Sequence, residues 1–248
     1  MPRYSSPYAS SFSFGPGPLT PAVKALIIAN VAAFVVTTFA PSLVVVLGLA
    51  PASVVERLHV WQLGTYMFLH GGFFHITFNM LALWMFGVEL ERKWGTRYFL
   101  KFYFVTGIGA AALTVLFSLL PFGFAEQVYY TVVIGASGAI FGLLLAYAMY
   151  FPDRLVYMYF LFPIPTRIFV LILGAIELLS SISGVPGGVA NATHLGGIAV
   201  GYAYLKSGRS HPWSELKYRY YRWKINRGRR KFGVYSGGRA DDWDRRVH

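Results

Sequence analysis

The sequence predicts an all-α polytopic membrane protein, a bundle of about six spanning helices with both termini cytoplasmic. Three observations predict it. The chain is 56% hydrophobic but only 13% charged, with a mean hydropathy of +0.51, whereas a soluble domain carries about a quarter of its residues as charges. The apolar residues gather in runs close to the ~20 residues that a helix needs to cross hydrocarbon. The basic residues, finally, fall on one side of those runs.

The segment before the first apolar run is rich in Ser, Pro and Gly, lacks the pattern of a cleavable signal, and is expected to be a flexible tail over residues 1–21. The membrane domain is expected over 22–205, followed by a basic tail over 206–248. Spans are predicted at about Ala22–Ala40, Phe74–Glu89, Tyr98–Leu120, Val132–Phe151, Arg167–Ser183 and Ala190–Leu205. Pro41, Pro121 and Pro152 close three of them, since proline cannot continue a helix. Ser42–Gly72 is apolar but interrupted by Glu56, Arg57 and Gln62, so it reads as an interfacial loop with short helices. Glu91-Arg92-Lys93 marks the exit of the second span into water.

With the N-terminus inside, every one of the 22 lysines and arginines except Arg57 falls on a cytoplasmic segment. That is the bias of the positive-inside rule, and it accounts for most of the net charge of +12. Basic residues interleaved with aromatics, as in Lys217–Lys224, also occur in nucleic-acid binders. Directly after a membrane helix they are expected to hold anionic headgroups instead, so no nucleic-acid partner is expected. The chain has no cysteine, which excludes disulfides, thiolate catalysis and thiolate-held metals.

Polar side chains inside spans are costly and point to function. His75 and Asn79 in the second span, Ser137 in the fourth and His194 in the sixth all lie within the first turns after the outer boundary, which sets them at similar depth. A serine alcohol needs a base, and His194 supplies one. Gly138 and Gly142 form a small-residue face on the fourth span, and Gly197 and Gly201 form another on the sixth. Such faces let two helices approach closely, which would bring Ser137 to His194 as a nucleophile–base dyad. Gly135, two residues before the serine, leaves room for a substrate backbone. His75 and Asn79, four apart, share a helix face and could donate hydrogen bonds to a developing oxyanion. No carboxylate is expected at this depth: Glu177 falls mid-span in the fifth helix and reads as a protonated or hydrogen-bonded packing residue. A metal held by His70, His75 and His194 would need a His-Glu-x-x-His pattern or an intramembrane aspartate, and neither occurs. No cofactor is expected.

Taken together, these motifs resemble the rhomboid family of intramembrane serine proteases. The residues that carry the resemblance are His70-Gly-Gly-Phe-Phe-His75-Ile-Thr-Phe-Asn79, Gly135-Ala-Ser137-Gly138, and Ala190-Asn-Ala-Thr-His194-Leu-Gly-Gly197-Ile-Ala-Val-Gly201. The resemblance implies that Ser137 is the nucleophile, His194 the base, and His75 and Asn79 part of the oxyanion hole. It further implies a water-filled cavity open to the outer side, and transmembrane protein substrates. Two departures stand out: the family's Trp-Arg pair reads Trp61-Gln62, and an often-tyrosine position beside the histidine reads Phe141. A catalytically silent client-binding relative would be expected to lack Ser137 or His194. A transporter would be expected to show internal repeats or ions paired within spans. A bacterial plasma membrane is the expected location.

Overall fold

A computed structural model describes residues 15–121, 123–158, 162–182 and 188–209. Contacts divide the chain into Met1–Leu205 and Lys206–His248. The basic tail beyond residue 209, with its expected lipid contacts, and the link 183–187 lie outside the described residues.

The chain is mostly helical. Helix α1, Pro21–Phe39, starts on a proline, whose missing N–H and fixed φ suit the first helical position. Three short helices then fold the expected interfacial loop: α2 (Ser42–Leu47), α3 (Pro51–Arg57) and α4 (Gln62–Thr65), with a 3₁₀ turn at Tyr66–Phe68. Gln62 anchors this loop. Fully buried, its side chain accepts from the Ala50 N–H at 3.0 Å and donates to the Val46 carbonyl at 3.1 Å. The amide thus ties the loop at the position where the resemblance would place an arginine, directly after Trp61.

The second long helix is built of α5 (Phe73–Ala82), a π-helical turn at Leu83–Gly87 and α6 (Val88–Trp94). It continues past the expected exit because Glu91 does not turn to water. Glu91 is buried and accepts the N–H groups of Ala22 and Val23 at 2.9 and 3.0 Å, together with the hydroxyls of Thr20 and Thr96. Its carboxylate therefore caps α1 from another helix, at the end where orphan amides and the helix dipole favour an anion. Beside it, Arg92 donates to the carbonyls of Pro16 and Pro18, and Trp84 to that of Gly17. These three residues were expected in the flexible tail, but side chains of the second helix bind them.

Helix α7 (Thr96–Ser118) runs through the centre, lined by buried Gly107, Ala110, Ala111 and Thr114. A short α8 (Gly123–Tyr130) leads to an extended segment and then to α9 (Ser137–Tyr150). An antiparallel hairpin follows, with β1 (Leu155–Met158) paired to β2 (Phe162–Pro165) in the register Leu155↔Pro165. It lies between the expected fourth and fifth spans. Helices α10 (Thr166–Ile182) and α11 (Gly188–Arg209) complete the described chain.

Among the described residues three helices are long and apolar enough to cross a membrane: Pro21–Phe39, Phe73–Trp94 and Thr96–Ser118, with Ser137–Tyr150 a shorter apolar helix. The fourth span was expected from Val132, but the helix begins five residues later. Val133 pairs with Leu49 in a β-bridge, and the Gly135 N–H donates to the Tyr66 carbonyl at 3.0 Å. With its hydrogen bonds made to other segments, 132–134 stays extended, and the chain enters the helix only at Ala136.

The Glu91 cap gives a direct test. Glu91→Ala leaves two amides and two hydroxyls without their acceptor and should lower stability by about 2–4 kcal/mol, read as a lower melting temperature in detergent.

Candidate active site

The late start of α9 puts Ser137 at its first residue rather than inside a span. First-turn amides have no acceptor within their own helix, so the serine sits among outward-directed N–H donors. Gly135 makes the approach to it possible. Its φ is +129°, and a Cβ there would lie 2.9 Å from His75 Nε2 and 3.4 Å from Ser137 Oγ. Only glycine fits this backbone beside both side chains.

Helices α9 and α11 meet through the two glycine faces. A Cβ on Gly197 would stand 1.9 Å from the Gly138 carbonyl oxygen, and one on Gly201 3.2 Å from Gly142 Cα. On the neighbouring face of α11, the Thr193 and Thr114 hydroxyls are hydrogen-bonded at 2.9 Å, fixing α11 against α7. This packing delivers His194 to Ser137: the Nε2–Oγ distance is 2.8 Å. Phe141, one turn along α9, stacks flat on the imidazole, with ring centroids 4.4 Å apart and planes 12° apart. Serine, imidazole and the stacking ring thus come from two helices whose separation is set by the absence of side chains.

The other expected residues are arranged differently. His75 lies against Gly135, and its Nδ1 accepts the Gly71 N–H at 3.4 Å, a long bond. Asn79 donates to the carbonyl of His75 at 2.8 Å, within its own helix. His70 is buried in the turn before α5, its ring 5.0 Å from that of His75. Among the described residues no group of three His, Cys, Asp or Glu could hold a metal ion.

Glu177 corrects the sequence reading, which expected no carboxylate at this depth. Its Oε2 lies 3.0 Å from His194 Nδ1, with both side chains only 15% exposed. The contact is within ion-pair distance, while its angle falls short of a directed hydrogen bond. The residue was missed because its partner is seventeen positions away on another helix, and no local pattern marks it.

Two cavities flank the site. One of about 330 Å³ is lined by Thr37, Val44, His70, Gly71 and Ile134, and reaches the extended segment without touching Ser137 or His194. The other is an apolar groove of about 780 Å³ between α7, α8, α10 and α11, which includes Leu178 and Leu195, the sequence neighbours of Glu177 and His194.

The Rhomboid domain family model matches residues 57–209, more than half of the chain and the whole of this site. The chain belongs to the rhomboid family. Among its relatives are Rhomboid protease AarA of Providencia stuartii, 32% identical over 151 residues, covering 57% of this chain and 53% of that one. Rhomboid protease GluP of Bacillus subtilis (strain 168) is 32% identical over 160 residues, covering 64% and 28%. Rhomboid protein 1, mitochondrial, of Saccharomyces cerevisiae (strain ATCC 204508 / S288c) is 33% identical over 138 residues, covering 55% and 38%. This rhomboid therefore spans about half or less of the length of these relatives. Family and apolar helices together make it an integral membrane protein.

Two outcomes test this geometry. Gly197→Ala must push α9 and α11 apart and should cost about 1–3 kcal/mol. The control Gly174→Ala, whose Cβ would meet only Ile198 Cδ1 at 3.9 Å, should be neutral in the same melting assay. The second outcome concerns pH. Burial, reinforced by His75, pushes the His70 imidazole down from 6.5 to about 4. Below about 6.5 the unfolded chain takes up a proton that the folded chain refuses. This contribution to stability is therefore complete above that pH and is lost as the pH falls towards 4. His70→Gln should flatten that slope in melting temperature against pH.

Proposed function

We propose that this rhomboid is an intramembrane serine endopeptidase that cleaves single-pass membrane proteins near the outer end of their membrane segment. The observation that carries the reading is the 2.8 Å contact between Ser137 Oγ and His194 Nε2. At that distance the neutral imidazole accepts the hydroxyl proton as Oγ attacks the scissile carbonyl, then gives it to the leaving amine. An acyl-enzyme remains on Ser137. His194 next deprotonates a water, which attacks the acyl carbon, and the proton returns to Oγ as the ester breaks.

The oxyanion is stabilised by donors aimed at the place where charge develops. First-turn amides of α9 are the nearest backbone candidates. His75, packed against Gly135, is the side chain next to them. Asn79 uses one amide hydrogen on the His75 carbonyl and keeps a second for the site. Gly135 leaves the extended substrate backbone room beside the nucleophile.

In this reading α1, the α5–α6 rod, α7, α9, α10 and α11 are the six spans, with both termini inside and the bacterial plasma membrane as the host. Such a topology sets Ser137 and His194 in the outer half, and Glu89 with Arg154, an ion pair, at the inner face. The basic residues after Lys206 hold anionic headgroups.

A fluorophosphonate probe and a single-pass reporter test the assignment in the full-length protein. Wild type should label and cut. Ser137→Ala and His194→Ala should each lose both by at least about 10³-fold. Equal labelling of Ser137→Ala would remove it as the nucleophile.

A further inference from the structure

We infer that Glu177 is a positioning residue for His194, so that the working unit is a Ser137–His194–Glu177 relay spread over α9, α11 and α10. The inference rests on the protease reading above and adds to it a third member from a separate helix.

Three observations carry it. The first is distance: Glu177 Oε2 stands 3.0 Å from His194 Nδ1, on the opposite side of the ring from the 2.8 Å contact to Ser137. Each ring nitrogen thus faces an oxygen within 3.0 Å. The second is register. One turn earlier on α10 and one turn later on α11, Gly174 faces Ile198, a Cβ there lying 3.9 Å from Ile198 Cδ1. The antiparallel packing of the two helices therefore brings position 177 to position 194, so the contact follows from more than one rotamer. The third is cost. Ile176, Leu178 and Leu179 beside Glu177 are exposed apolar residues suited to lipid, where an ionisable side chain is expensive unless paired. Among the described residues, no basic side chain other than His194 lies within ion-pair distance of Glu177. A leucine would serve packing better.

The chemistry that such a contact supplies is a choice of tautomer. A neutral imidazole has one N–H. With the proton on Nδ1, facing the carboxylate, Nε2 offers its lone pair to the Ser137 hydroxyl. With the proton on Nε2, the ring can only donate to Oγ, and no base is available. A carboxylate at Nδ1 holds the first form and stabilises the imidazolium that appears when Nε2 takes the serine proton. The groups facing the ring from its neighbours are Ser137 and Phe141 on α9, His75 on α5 and Glu177 on α10. Of these only Glu177 can carry a negative charge in the resting site.

The test uses the full-length protein in phosphatidylethanolamine–phosphatidylglycerol vesicles, with fluorophosphonate labelling of Ser137 followed over time. Glu177→Gln, nearly isosteric, should lower the saturating labelling rate at least about tenfold while the half-saturating probe concentration stays within about twofold. Glu177→Asp should recover a substantial part of the rate. Resting ¹⁵N-histidine spectra should show the Nδ1–H tautomer for His194 in wild type and a mixture in Glu177→Gln. Wild-type labelling by Glu177→Gln, no recovery by Glu177→Asp, or an Nε2–H tautomer in the wild-type chain would each overturn the inference. The last reading needs no variant, so a poorly folding substitution leaves it decidable. Failure of wild type itself to label at Ser137 would instead overturn the protease reading on which this one stands.

Discussion

The arrangement depends on how close two helices can come. Gly197 lies so near the Gly138 carbonyl that no side chain could stand between them. Without a hydrophobic driving force between apolar helices in lipid, such contact is held by dispersion and by polar groups brought into reach. The Thr193–Thr114 hydrogen bond supplies the latter. A histidine and a serine then meet because their helices do, and the stacked Phe141 limits how the ring can turn. Larger residues on either face would separate the two groups without altering either one.

Around this contact the structure satisfies its polar backbone with side chains from elsewhere in the chain. Glu91 accepts the orphan amides of α1, and Gln62 closes the loop between Val46 and Ala50. The segment before α9 makes its hydrogen bonds to Leu49 and Tyr66 rather than to itself. That segment stays extended for this reason, and Ser137 gains its place at a helix start. In lipid, non-helical backbone persists only where protein or water satisfies it, and here protein does so.

Electrostatics follow the same economy. Glu89 and Arg154 pair at one end of the bundle, while Tyr147 adds a hydrogen bond to the same carboxylate. Glu177 is the exception, an acid on an otherwise lipid-suited stretch of α10, and its contact is an imidazole. The energetic cost of keeping it there is what gives that contact its meaning.

Much of this was legible in the sequence, because hydrophobic length and residue spacing are local. Helix α7 lies within two residues of its expected bounds, and the two glycine faces could be read as surfaces for close approach. The shared face of His75 and Asn79 follows from helical period alone. Other features could not be read this way. Nothing near Val133 says that Leu49 will claim its backbone, and nothing near Glu91 says that α1 will start on it. The closeness of Glu177 to His194 depends on the register of α10 against α11. The sequence by itself determined where the long apolar helices run and which surfaces are bare enough to touch. Only the tertiary structure decided which distant groups share hydrogen bonds and charge, since those pairings are set by the packing of whole helices and have no period along the chain.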